Sequence, residues 1–275
     1  MAETAGPLLE DDAGNRFAPA GPAARIACFV PSITELLVDL GLGERLVART
    51  RFCIHPADAV ARIPAIGGTK KVSLRKLEAL APTHAVLNID ENTVEMAEAM
   101  RALVPNVVVT HPLAPEDNLR LYALMGGLFG RAAEAAALSR QFRAARDALP
   151  PADPAGRRDV LYFIWKEPWM TVSRDTYISA MLGLVGWRTT HHDPGVRYPT
   201  VDLTPETVAA TDLFLFPTEP WDFTRADIDA FLRDYDCPPE KALPVDGEYC
   251  SWYGSRAIAG LRYLKDLAQT ERTRG

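Results

Sequence analysis

The stretch RIACFVPSITELLVDLGLG, Arg25–Gly43, decides the fold. Its first part, RIACFV, is a run of β-branched, aromatic and small apolar residues, the composition of a buried strand. PSITELLVDLGLG follows at once with apolar residues at helical spacing. Here Ser32 and Glu35 stand as an S-x-x-E capping box and Gly41 supplies a stop signal. A strand that feeds directly into a helix is the opening half of a β-α-β unit. Working outward, the alternation continues through RLVART, THAVLNI and NVVVTH as strands, with helical patterns at Ser73–Leu80 and Thr93–Leu103. Such an order implies a parallel sheet with helices on its faces.

A second series begins after LPPADPAGRR, the Pro- and Gly-rich break Leu149–Arg158. Strands are expected in DVLYFIW, FLFP and LPVDG, and helices at Thr176–Val185, Arg225–Asp234 and Ser255–Leu267. Between the two series, PEDNLRLYALMGGLFGRAAEAAALSRQFRAARDAL is helical in period but interrupted by Gly126, Gly127 and Gly130. It predicts one helix ending near Phe129 and a second of ~18 to 20 residues, about 30 Å long. The expected fold is α/β: two Rossmann-like lobes joined by a long backbone helix, with a ligand cleft between the lobes. The boundaries run as an N-terminal lead 1–24, a first lobe 25–115, connecting helices 116–150 and a second lobe 157–270.

Composition narrows the function. Of 275 residues, 48% are hydrophobic and 24% charged, with a formal net charge of -6; an acidic chain without a basic face offers no nucleic-acid footprint. The four cysteines, Cys28, Cys53, Cys237 and Cys250, contain no C-x-x-C pair, which leaves out zinc ribbons and thioredoxin-type motifs. The N-terminal stretch has acidic residues where a signal peptide needs an apolar core, and no window reaches the ~18 apolar residues of a membrane span. As written, the sequence reads as cytoplasmic; an upstream start would make it periplasmic.

In open α/β sheets, ligands bind at the carboxyl ends of strands. That rule selects the loops PSITE, RFCIHP and NIDEN of the first lobe, with IWKEPWMTVSRD, HHDPGVRYP, PTEPWDF and VDGEYCSWYGSR of the second. Trp221 and Trp252, in polar loops, are expected to face ligand, whereas Trp165 and Trp169 flank a strand break and suit a core equally well. Cys53 and His55 form a C-x-H pair that would point both side chains to one face of a strand. No G-x-S-x-G elbow, G-x-G-x-x-G or P-loop is present. An aromatic-lined, mixed-charge cleft remains, better suited to holding a flat or bulky small molecule than to breaking bonds.

From Asp11 to Leu267 the chain resembles a known family, the helical-backbone substrate-binding proteins that receive cobalamin, iron-siderophores, haem or metal ions for ABC importers. The resemblance lies in DDAGNRF, PSITELLVDLGLGERLVART, IPAIGGTKKVSLRKLEALAPTHAVL, MTVSRDTYISAMLGLVGW, RYPTVDLTPETVAATD and LPVDGEYCSWYGSRAIAGL. The cobalamin-type branch is the most similar. It implies a monomeric, non-enzymatic receptor that needs no cofactor. Trp169, Trp221, Trp252 and Tyr253 would lie against a corrinoid or related metal chelate, Tyr198 would assist, and Arg256 would attract a carboxylate or phosphate. Two alternatives keep the fold: a bare divalent metal held by Cys53, His55 and Glu248, or an enzyme using Cys53 or Cys250 as nucleophile or Glu248 as base. Family members dock on a permease through one glutamate per lobe. Glu206 matches in the second lobe, but Arg75 stands at the first-lobe position, and that reversal of charge weakens the expectation of an ABC permease partner.

Overall fold

In the computed structural model, residues 9–151 and 156–274 are described; residues 1–8 of the expected lead and 152–155 of the expected break lie outside them. The chain divides into two compact units. The first takes the described residues up to Pro112, Glu116–Phe142 and Tyr253–Arg256; the second takes Leu113–Pro115, Arg143–Trp252 and the chain from Ala257 on.

The first unit opens with a hairpin of β1 (Leu9–Glu10) and β2 (Arg16–Phe17). The buried Asp11 carboxylate holds its turn by accepting from the amides of Ala13 and Asn15, and it also accepts from Val109. Then follow β3 (Ile26–Cys28), α1 (Pro31–Asp39), β4 (Leu46–Arg49), α2 (Ala57–Val60), α3 (Leu74–Leu80), β5 (His84–Asn88), α4 (Val94–Leu103) and β6 (Asn106–Thr110). The four longer-range strands form one parallel sheet in the order β4-β3-β5-β6. Helices α5 (Asp117–Leu128) and α6 (Ala132–Asp147) come next. All five residues of β5 are buried, as a strand covered on both faces must be. Ala27, Phe29, Leu77, Leu87, Met100 and Val109 belong to the core cluster packed around this sheet.

The second unit repeats the pattern with β7 (Arg158–Tyr162), α7 (Tyr177–Gly183), β8 (Trp187–Thr189), α8 (Pro205–Ala210), β9 (Leu213–Pro217), α9 (Arg225–Asp234), β10 (Ala242–Val245), α10 (Gly247–Ser251) and α11 (Arg256–Arg274). Its sheet is also parallel, in the order β10-β9-β7-β8. Counted in chain order within each lobe, both sheets read 2-1-3-4, so each has its switch point between its first and third strands, β3/β5 and β7/β9. The fold is α/β with two Rossmann-like lobes.

Local expectations are corrected in three places. Helix α1 has no Ser32–Glu35 capping box: Val30 is the N-cap without a side-chain bond and Pro31 occupies the first turn. Pro31 has no amide hydrogen to satisfy and a φ suited to a helix start, so the helix begins one residue before Ser32. The stretch VDGEYCSWYGSR is not a plain loop, because Asp246 caps α10 by accepting from the Tyr249 amide at 3.2 Å. The backbone helix α6 has 16 residues, somewhat shorter than expected.

Candidate functional site

Loops that follow the first and third strands of each sheet are where ligands gather in this topology. In the second lobe they are the segments after β7 and β9. Trp165, three residues beyond β7, is 42% exposed. It stands edge-on to Trp221, with ring centroids 4.5 Å apart and planes at 79°. Trp221 is also met by Lys166, whose ammonium lies over the ring, 5.4 Å from its centroid. Lys166 is itself bonded to Asp227. That bond, together with the Thr224 hydroxyl and amide, holds the Asp227 carboxyl down at about 2. Asp227 is in turn the reciprocal partner of Thr224 in the capping box of α9. The cap of one helix thus anchors a cation that anchors an indole.

The same two loops hold a half-buried acid. Glu219, two residues beyond β9, accepts a hydrogen bond from the Trp252 indole and lies 3.2 Å from the Ser251 hydroxyl. Burial, with Glu248 and Asp246 nearby, pushes its carboxyl up to about 7 despite those donors. The backbone of α10 comes very close here. A Cβ at Gly247 would sit 2.7 Å from both the amide nitrogen and the carbonyl oxygen of Glu219. Gly247 is therefore required for α10 to meet the loop, and its amide donates to Thr218 Oγ1 at 3.0 Å.

In the first lobe, the loop after β4 exposes Phe52 (46%) and Ile54 (50%), and the loop after β5 exposes Ile89 (45%). The Arg51 guanidinium lies 4.8 Å from the Phe52 ring centroid. In the same unit, Tyr253 donates to Glu91 Oε1, and His111 Nε2 lies 3.5 Å from Asp90 Oδ2. Arg256 forms a two-pronged ion pair with Glu35, both contacts 2.7 Å.

Several expected ligand contacts are interior residues instead. Trp169 packs parallel on Phe223 at 5.9 Å and donates from Nε1 to the Tyr235 hydroxyl at 2.9 Å, so it belongs to the aromatic cluster of the second lobe with Phe163 and Phe231. Trp252 and Tyr253 are each 7% exposed. Arg256 is committed to Glu35 and does not stand open to an anion. Trp221 and Tyr198 are half-buried, and Trp221 is the one that meets an exposed ring.

Among the described residues, no group of three or more His, Cys, Asp or Glu side chains is arranged to hold a metal ion. Cys53 is buried, with the hydroxyls of Thr34 and Thr50 each 3.2 Å from its sulfur; His55 is half-buried in the loop after β4, and Glu248 is half-buried on α10. Burial pushes the thiols of Cys53 and Cys250 up, away from the thiolate a nucleophile needs. Arg75 and Glu206 are both exposed and occupy equivalent places, each second in a helix that joins the second strand of its sheet to the third.

Trp165 was left even between core and ligand, and Glu219, Glu91 and the exposed Phe52, Ile54 and Ile89 were not singled out by the sequence. The loops carrying them were, through their position after strands. An irregular loop has no periodicity to tell an inward ring from an outward one, so Trp165 and Trp169, four residues apart, look alike until the fold is known.

No family profile and no curated protein sequence matches the chain. Among solved structures, it is similar to the periplasmic vitamin B12 binding protein BtuF of Vibrio cholerae, at 14% identity and a TM-score of 0.75 over 91% of this chain and 98% of that one. It is similar also to the periplasmic heme-binding protein RhuT from Roseiflexus sp. RS-1, at 22% identity and a TM-score of 0.71 over 91% and 98%. The heme-binding protein HutB of Vibrio cholerae gives 17% and 0.73 over 89% and 98%. At these identities, what is shared is the fold.

Proposed function

We propose that the chain is a non-enzymatic solute-binding protein whose ligand is a flat, bulky metal chelate, a corrinoid or a haem, received for an ABC permease. The observation that carries this reading is Trp165, left 42% exposed at the switch point of the second lobe while Trp221 and Lys166 hold its neighbourhood in place. A large ring kept in water beside an aromatic core forgoes ~25 cal/mol for every Å² it fails to bury. A planar ligand would recover that area and add ring–ring contact. Phe52, Ile54 and Ile89 offer apolar area of the same kind on the first lobe. The fold is also that of solved proteins named for vitamin B12 and heme.

Native mass spectrometry of the purified protein, followed by titration with cyanocobalamin and haemin under tryptophan fluorescence, tests the reading. Binding of one of them with quenching is expected, weakened about tenfold or more, ~1.4 kcal/mol, in Trp165→Ala. Protein that remains free of every chelate at high micromolar ligand overturns it. A permease meeting this chain would face Glu206 on one lobe and Arg75 on the other, so its own charges would have to be unlike at the two contacts.

A further inference from the structure

Glu219 has no role in the chelate reading, yet its carboxyl is held by two donors, the Trp252 indole and the Ser251 hydroxyl. Its loop carries Trp221 two residues on, and its side chain is bonded to Trp252 at the end of α10. The charged and titratable groups around it are Asp246 and Glu248 on α10 and its cap, with Cys250 and the phenols of Tyr162 on β7 and Tyr263 on α11 also in this cluster. Among the described residues, no lysine or arginine pairs with it. Ionised, Glu219 would set a further negative charge beside two others in a place largely removed from water; protonated, it fits there without that cost. Helix α10 approaches this loop so closely that a Cβ at Gly247 would collide with the Glu219 backbone and side chain.

We propose that Glu219 is a proton-operated latch: protonated, it fastens the loop bearing Trp221 to α10; ionised, it loosens both, so that the aromatic face of the second lobe is set by pH. Burial places the switch near pH 7. The consequence for a ligand rests on the chelate reading above. A chelate seated on that face would further shield Glu219 from water, so it would bind with proton uptake and more tightly on the acid side.

Hydrogen exchange read by mass spectrometry at pH 6 and pH 8, corrected for the intrinsic exchange rate, tests the latch without any ligand. In the wild type, protection of the segments 218–223 and 246–252 is expected to fall several-fold from pH 6 to pH 8. Glu219→Gln, neutral at both pH values and still able to accept from Trp252, is expected to keep the pH 6 protection throughout. Equal protection at the two pH values in the wild type, or a Glu219→Gln protein that still loses protection at pH 8, overturns the proposal. Titration of the same two proteins with cyanocobalamin and haemin separates the two readings. Chelate binding that weakens with pH in the wild type but not in Glu219→Gln extends the latch to the ligand. A latch that responds to pH in a protein taking up neither chelate counts against the receptor reading alone.

Discussion

Glu219 raises the stability of the protein in acid and lowers it in base, the reverse of most carboxylates. Its ordinary value is 4.5 and burial lifts it to about 7. Between those values the folded chain holds a proton that the unfolded chain has released, so the contribution is whole below 4.5 and is lost as pH rises through 7. The full swing is on the order of 3 kcal/mol at most. Thermal melts should therefore show Glu219→Gln gaining on the wild type between pH 5 and pH 8; parallel profiles would mean the carboxyl is solvated. Arg256 poses the opposite case, a cation stabilised by Glu35 with both side chains less than 15% exposed. Arg256→Ala should cost on the order of 2 kcal/mol in denaturant unfolding, and removing Glu35 as well should cost little more, because the first substitution already leaves a carboxylate without its partner. Their pairing did not announce itself. Arg256 was expected to serve a ligand and Glu35 a helix cap, and the two lie 221 positions apart in sequence. Pairing over that separation is set by the fold, and one sequence carries no local sign of it.

Elements were more legible than residues because their signals are local. Ser73, Thr93, Thr176, Thr204 and Thr224 each accept a backbone amide at the start of a helix, as the type of side chain and its place before an apolar periodic run require. Helix α9 occupies the expected span. The three-residue β8 and the short helix α2 had no such signal, and α8 and α10, though capped by Thr204 and Asp246, are too short for apolar positions to recur along them. Gly126, Gly127 and Gly130 were read as interruptions of a helical pattern, yet Gly126 lies inside α5 and turns out to be a contact. A Cβ there would lie 2.4 Å from the Cβ of Ala135 and 2.8 Å from the carbonyl oxygen of Arg131. Gly126→Ala should accordingly destabilise the protein by about 1–3 kcal/mol, even though alanine is the better helix former, because the two helices would have to move apart. Chemical denaturation measures this directly; a stabilised variant would show that the helices can separate without loss.

At the scale of the molecule, the alternation of strand and helix carried the α/β class and the two lobes, since each β-α step is decided within some thirty residues. What alternation does not carry is the return of Tyr253–Arg256 to the first unit after the second has been built. That return depends on contacts such as Gly254 with Asn118 and with Tyr122, 136 and 132 positions away. Nor does it carry which rings the finished lobes leave outside. Trp165 and Trp169 should separate these two kinds of tryptophan in one experiment. Trp169→Ala empties a site among Phe163, Phe223 and Phe231 and should lower ligand-free stability by roughly 3–5 kcal/mol. Trp165→Ala removes a ring that the folded chain leaves half in water and should change ligand-free stability by less than about 1 kcal/mol. If the chelate reading holds, wild-type protein gains ~2.7 kcal/mol at a ligand concentration of 100 times Kd. Trp165→Ala should reach that gain only at correspondingly higher ligand. A melt series over chelate concentration reads both numbers: an unchanged intercept with a displaced rise places Trp165 at the ligand, whereas a lowered intercept would make it part of the core and remove the observation on which the receptor reading stands.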